Sequence, residues 1–248
     1  MDEKIFDRIE KKYIITTKQY DILLSQIQKH MEKDGYFQSD VYNIYFDTDN
    51  YDLIIQSIDQ PLFKEKLRAR SYGGYDKVFL EIKTKLRGEA MLEKQDYNLG
   101  FKRRVLIMHQ DYDDLIAKKS SVTDLAAKNI EESSDLQIAK EIDYMMRHFD
   151  LKPKIFVSYH RESYKGDDGL RITFDKNLKF REENLKFSES SKDRTLFNDD
   201  KCIIMEIKTH GGLPMWLVKI LSAEHIYPTQ FSKIGKIYEL TRKGEKNV

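Results

Sequence analysis

The chain has 248 residues, 34% of them charged and 12% aromatic, with 43 basic against 42 acidic side chains and a net charge of +1. It is long enough for one large domain, too aromatic for intrinsic disorder, and too evenly charged to attract nucleic acid through its overall charge. The single cysteine, Cys202, excludes an internal disulfide and a cysteine-built zinc or iron–sulfur site, and points to a reducing, cytoplasmic setting. Apolar runs such as 105–108 and 202–205 are far shorter than a bilayer span, and the opening Met1-Asp2-Glu3-Lys4 has no apolar signal core.

In chain order, residues 5–15 read as a strand. Thr16 or Thr17 is placed to cap a helix running to about Lys33, with Ile22, Leu23, Ile27 and Met31 near helical spacing. Residues 41–47 read as a strand, followed by a short helix or turn from Asp47-Thr48-Asp49-Asn50. Strands at 63–72, 77–86 and 90–99 are separated by the turn signals Gly73-Gly74 and Arg87-Gly88, which predicts hairpins, and a weaker strand follows at 102–108. Residues 110–150 are mostly helical, with Ser133-Ser134 capping a helix to about His148 and Pro153 marking the restart. Further strands fall at 154–163, 169–175 and 201–208, with a polar loop over 182–200. Leu213–Leu221 reads as a helix with Pro214 in its first turn, and 231–241 as the last helix. With no repeat and no linker, the pattern predicts a single α+β domain over 1–248, built on a large antiparallel sheet.

Side chains alternate across a strand, so the charge pattern can be read face by face. Lys66, Arg68 and Arg70 share one face and Leu67 and Ala69 the other; Glu81 and Lys83 oppose Val78, Leu80 and Ile82. Arg171 and Thr173 oppose Leu170, Ile172 and Phe174, and Glu206 and Lys208 oppose Ile203, Met205 and Ile207. In the first strand Arg8, Glu10 and Lys12 share a face. The plain explanation is a sheet with one solvated face. Two features favour another. Glu-x-Lys occurs at Glu10/Lys12, Glu81/Lys83 and Glu206/Lys208, and the polar faces are rich in cations with few carboxylates. A curled sheet with these faces inward makes a basic lumen, whose charge calls for a polyanion and whose carboxylates can hold Mg²⁺ or Mn²⁺.

These residues resemble the VTC domain, the polyphosphate polymerase domain of the vacuolar transporter chaperone complex, within the triphosphate tunnel metalloenzymes. The likeness runs from about Phe6 to Leu240. It is carried by Arg8-Ile9-Glu10-Lys11-Lys12-Tyr13, Tyr45-Phe46-Asp47-Thr48, 66–72 (KLRARSY) and Phe79-Leu80-Glu81-Ile82-Lys83. Later segments are 159–164 (YHRESY), 170–175 (LRITFD), Met205-Glu206-Ile207-Lys208 and Phe231-Ser232-Lys233. Arg8 departs from the Glu-x-Glu-x-Lys opening of the wider superfamily, which fits a VTC-type assignment better than a strict triphosphatase.

The resemblance implies an antiparallel β-barrel tunnel with helices packed around it. It also implies a metal-dependent polymerase that moves the γ-phosphoryl of ATP onto pyrophosphate or a growing polyphosphate chain. It places Lys12, Lys66, Arg68, Arg70, Lys83, Lys94, Arg161, Arg171, Lys208 and Lys233 on phosphate or nucleotide. Glu206, Lys233, Arg68 and Arg70 are its catalytic set, and Glu206, Glu10 and Glu81 its ligands for Mn²⁺ or Mg²⁺. A triphosphatase or polyphosphatase on the same tunnel and a non-catalytic polyphosphate-binding module are the alternatives. Sequence-specific nucleic acid is not an expected partner; a membrane-protein partner and the oligomeric state are left open. Tyr45 and Phe46 are expected to pack at a strand end, and Met215 and Trp216 to pack a helix on the sheet.

Overall fold

The computed structural model describes residues 9–59, 62–73, 76–89, 96–128, 133–187, 192–197 and 202–242. The elements in order are β1 (Ile9–Ile15), α1 (Thr17–His30), β2 (Glu32–Asp47), α2 (Asp52–Ile58), β3 (Phe63–Tyr72), β4 (Lys77–Glu89) and β5 (Asp96–Met108). Then come α3 (His109–Ile116), α4 (Val122–Ala127), α5 (Ser133–His148), β6 (Lys152–Lys165), β7 (Arg171–Arg181), β8 (Arg194–Thr195), β9 (Ile203–Thr209), α6 (Met215–Ala223) and α7 (Lys233–Arg242). The class is α+β with an antiparallel sheet, as the hairpin signals predict. Among the described residues no helix is long and apolar enough to cross a membrane.

The chain divides into two compact units. One takes in residues up to Asp40, Tyr159–Leu178 and Thr195–Ser232; the other takes in Val41–Ser158, Lys179–Arg194 and the stretch from Lys233 onward. In the first unit, strand order runs β1-β9-β7-β6-β2. The apolar faces of these strands, with Tyr13 and Ile15, Ile172 and Phe174, and Ile203, Met205 and Ile207, pack with Leu23 and Ile27 of α1 and Leu217 and Leu221 of α6. In the second, β2, β3, β4 and β5 are neighbours in that order. Ile44, Leu67, Ala69, Leu80, Ile82 and Val105 there pack with Tyr112, Leu125, Ala139 and Ile142 from α3, α4 and α5. Helices therefore cover the apolar side of the strands in both units. Among the described residues, the charged side chains named above lie on the opposite side.

Several local signals act as predicted. Thr16 closes a capping box with Gln19: its hydroxyl accepts the Gln19 N–H, and the Gln19 side chain accepts the Thr16 N–H at 3.0 Å. In the Tyr45-Phe46-Asp47-Thr48 segment, buried Asp47 accepts backbone N–H bonds from Thr48, Leu53 and Ile54 at 2.8, 2.9 and 2.9 Å. That carboxylate satisfies the orphan donors of the first turn of α2.

Others are corrected. Helix α1 stops at His30 rather than Lys33: Met31 still bonds Ile27 but swings to φ −140° and ψ 153°, which buries its side chain and starts β2 nine residues earlier than expected, at Glu32 rather than 41. There is no turn at Arg87-Gly88. Arg87 pairs with Asn98 and Gly88 with Tyr97, so β4 runs on to Glu89. The strands expected at 90–99 and 102–108 are one strand, β5, in which Gly100 lies opposite Lys85. Ladder pairing with a long neighbour overrides the turn preference of these glycines. Residues 90–95, including Lys94, lie outside the described residues, as does Arg8. Pro214 is the N-cap of α6 rather than a residue of its first turn, and Met215 is exposed while Trp216 stacks on His30 at 4.6 Å.

Gly169 has φ +71°, and a Cβ there would overlap the imidazole of His210. Gly169→Ala is expected to cost about 1–2 kcal/mol from the left-handed backbone, with further loss as the imidazole is displaced. Thermal denaturation should show a fall of roughly 2–8 °C.

Candidate functional site

In the first unit the register sets the charges in rows. Glu10 of β1 lies opposite Lys208 of β9 and Lys12 opposite Glu206, while Arg171 and Thr173 of β7 lie opposite Lys208 and Glu206 from the other side. Lys208 Nζ bridges the two carboxylates, 2.8 Å from Glu206 and 3.3 Å from Glu10. Lys12 stands 3.7 Å from Glu10 and donates to the Phe231 carbonyl at 3.2 Å. Arg161 of β6 is gripped in bidentate fashion by Asp175, with Nε at 2.6 Å and Nη2 at 2.8 Å, and stacks over the Tyr159 ring. Arg171 is held by Asp34 at 2.9 Å and by the Ser163 hydroxyl at 3.0 Å.

Arg161, Arg171, Thr173, Glu206 and Lys208 line a cleft of ≈ 20 Å³, room for a water or an ion. The Thr173 hydroxyl is buried there and makes no hydrogen bond in the structure. Burial pushes the Glu206 carboxyl up, but Lys208, Lys12 and Arg161 outweigh it and hold the group well below the usual carboxylate range.

In the second unit Arg68 lies between Tyr45 and Glu81, Arg70 is opposite Asn43, and Glu81 is opposite Arg104. Lys66, Lys83 and Lys102 stand abreast across β3, β4 and β5. Like charges directly opposite repel across a sheet, and Lys102 at the end of this row also faces Glu81 at 3.5 Å. Arg68 sets Nε and Nη2 on one oxygen of Glu81, at 2.8 and 2.7 Å; Arg70 Nε is 3.9 Å from that oxygen and Lys102 Nζ 3.5 Å from the other. Burial raises the Glu81 carboxyl, yet Arg68, Arg70 and Lys102 bring it down to about 2. Arg70 donates to Asn43 at 2.7 Å and to the Tyr72 hydroxyl at 3.2 Å, and Arg68 donates to the Tyr45 hydroxyl at 3.2 Å. Burial pushes the Tyr45 phenol up, but Arg68, Arg70 and Lys233 more than reverse it and leave it below its ordinary value. Lys233 is the first residue of α7, as the sequence predicts to within two residues.

The sequence-derived residues thus fall into two groups. Glu10, Lys12, Arg161, Arg171, Glu206 and Lys208 come together in the first unit; Lys66, Arg68, Arg70, Glu81, Lys83 and Lys233 belong to the second. The charged faces are not ordinary solvated ones: Glu81 is wholly buried, and the side chains of Arg70, Arg68, Glu206 and Arg161 are only 7, 12, 14 and 17% exposed. Sequence reasoning missed Asp175 and Asp34, which orient the arginines, and Lys102 and Arg104 on the strand read as weak. Asp175, Lys102 and Arg104 are each in phase with residues already singled out on their strands or neighbours. Tyr45 is a correction: its ring is buried as expected, but its hydroxyl belongs to the polar face.

Among the described residues no three His, Cys, Asp or Glu side chains converge to cage a metal. Glu206 and Glu10, both on Lys208 and with the unbonded Thr173 hydroxyl next to Glu206, are hard oxygen donors. Mg²⁺ and Mn²⁺ suit one or two carboxylates completed by substrate phosphates, so this donor set fits a cation that shares its coordination with the substrate.

Subunit 4 of the vacuolar transporter chaperone complex of Schizosaccharomyces pombe is 29% identical to this chain over 147 residues, taking in 56% of this chain and 20% of that protein. The matched stretch is thus about a fifth of the relative's length. A Hippeastrum protein, described as an adenylyl cyclase candidate with a dominant triphosphatase activity, has a similar structure: TM-score 0.52, 17% identity, 96% of each chain covered. A Pyrococcus horikoshii protein aligns with TM-score 0.46 and 16% identity over 94% of this chain and 99% of its own. The Hippeastrum likeness is one of fold. The family model described as VTC domain matches residues 7–241, nearly the whole chain and every charged strand face described above, and the chain belongs to the VTC domain family.

Proposed function

We propose that this chain is, as a single functional domain, a metal-dependent polyphosphate polymerase that transfers the γ-phosphoryl of ATP onto a growing polyphosphate chain. The observation that carries the reading is the set of poorly exposed arginines, Arg68, Arg70 and Arg161, flanked by half-exposed lysines on strand faces whose other sides are core. Cations partly withdrawn from water call for a multiply charged anion. Family membership and the chaperone-complex relative support the polyphosphate assignment.

Each residue then has a task. The planar forks of Arg68, Arg70, Arg161 and Arg171 bind pairs of phosphoryl oxygens, and Asp175 and Asp34 fix the angle of the last two. Lys12, Lys66, Lys83 and Lys208 are compact charges along which a phosphate chain can slide. Lys233, at the start of α7, adds a cation to the positive end of a helix and suits a terminal phosphate. Glu206, with Glu10, would hold Mg²⁺ or Mn²⁺, whose chemistry when bound is to neutralise charge on the phosphate oxygens. The attacking oxygen of pyrophosphate or chain end is already anionic, so these side chains position and neutralise rather than remove a proton. A partner within a larger complex belongs to the same proposal, as does a reducing cytoplasmic setting, which suits the lone half-buried Cys202.

The test is incubation of purified protein with ATP, Mn²⁺ and pyrophosphate. A ladder of polyphosphate with matching ADP is expected. Orthophosphate without a ladder makes the chain a triphosphatase, and salt-dependent binding with no product makes it a binding module.

A further inference from the structure

Glu81 lies in the Glu-x-Lys motif of β4 and, by the family resemblance, is a metal ligand. Its surroundings are those of a buried counter-ion. One oxygen receives both Nε and Nη2 of Arg68 and lies 3.9 Å from Arg70, the other faces Lys102 at 3.5 Å, and Arg104 is its cross-strand neighbour on β5. The residue has no exposure to solvent. A divalent cation here would have no open side on which substrate oxygens could complete its coordination, whereas Glu206, though also paired to a cation, is partly exposed and lines a cleft. A phosphoryl group, by contrast, competes for the same guanidinium edges, because carboxylate and phosphate offer an arginine fork the same pair of oxygens.

We propose that Glu81 is a built-in counter-anion of the phosphate site. It holds Arg68 and Arg70 in place, meets part of their charge, and so lowers the affinity of the site enough for a phosphate chain to be released and moved on. This rests on the phosphate-binding reading of Arg68 and Arg70 given above. Glu81 is then a residue that sets affinity, and the metal is left to Glu206 and Glu10.

The experiment is calorimetric titration of wild type and Glu81→Gln with tripolyphosphate in EDTA, alongside Mn²⁺ binding to the protein–tripolyphosphate mixture followed by electron paramagnetic resonance. Glu81→Gln is expected to bind tripolyphosphate about tenfold more tightly or better, with Mn²⁺ binding unchanged. Unchanged or weaker affinity in the folded variant, or loss of Mn²⁺ binding, overturns the proposal. Removing a buried anion from among cations can unfold a chain, so Glu81→Asp is the second arm. It keeps the charge but draws it back one methylene from Arg68, and about threefold tighter binding is expected; unchanged or weaker binding overturns the proposal. A wild type that fails to bind tripolyphosphate overturns the phosphate-binding reading and this inference with it, whereas binding wild type with unaltered variants overturns this inference alone.

Discussion

Replacing Asp175 by alanine is expected to cost about 3–5 kcal/mol of folding stability, because it leaves the charge of Arg161 without its partner. Asp175 is 1% exposed on β7, and its two oxygens take Nε and Nη2 of Arg161 at 2.6 and 2.8 Å. Few single contacts in the first unit combine so much burial with so much charge. The melting temperature should fall by roughly 6–20 °C, at 2–4 °C per kcal/mol for a chain of this size. Asp175→Asn keeps one acceptor for Nε and should lose less. Both variants release the Arg161 fork from its fixed angle, so tripolyphosphate affinity should fall in each, and in Asp175→Asn by more than the stability loss explains. Denaturant titration together with binding calorimetry separates the two effects. An Asp175→Ala protein as stable as wild type would show that the arginine finds water or another acid instead.

Glu206→Gln is expected to lower turnover by about two to three orders of magnitude, the scale seen when one charge partner of a phosphoryl or acyl transition state is removed. Glutamine is nearly isosteric and still accepts from Lys208, which bonds the carboxylate at 2.8 Å, so the fold should survive. What goes is a carboxylate oxygen that shares Lys208 with Glu10 and lies next to Thr173 across the strands. The signature is a split. ADP release in Mn²⁺ falls steeply, while tripolyphosphate binding in EDTA holds or tightens, since a repelling carboxylate has gone. If kcat, metal-free affinity and melting temperature all fall together, Glu206 is a structural partner of Lys208 and the metal belongs elsewhere.

Much of this site was legible in the strand alternation. Arg68 and Arg70 against Leu67 and Ala69, or Glu206 and Lys208 against Met205 and Ile207, are patterns of period two, and the structure puts each set on its predicted side. Element ends were less legible because they depend on distant partners. Arg87-Gly88 has the local chemistry of a turn, but Asn98 and Tyr97 hold it in a ladder. The buried acids were harder still. Asp175 ends a motif in which Arg171 and Thr173 draw the eye, and nothing local says that its partner is Arg161, on another strand. Tyr45 looks like any aromatic at a strand end until Arg68 is set opposite it. Which carboxylate is wholly buried among arginines and which lines a cleft is a matter of register between strands, invisible to a motif such as Glu-x-Lys that reads the same at Glu81 and Glu206.

The pairing of β1 with β9 has a consequence for synthesis. Lys12 is matched to Glu206 and donates to the carbonyl of Phe231, 219 residues further along the chain. During translation, at about 5–20 residues per second, the first strand must wait roughly ten seconds or more for its neighbour. Until then its edge is without the β9 ladder, and the apolar side chains of Tyr13 and Ile15 have α1 at first and Tyr164, Ile172 and Phe174 later. Contacts of such long sequence range fold slowly. The hairpins of β3, β4 and β5, close neighbours in the chain, are free to pair first, so the arginine cluster around Glu81 can form on the ribosome well before the row that contains Glu206.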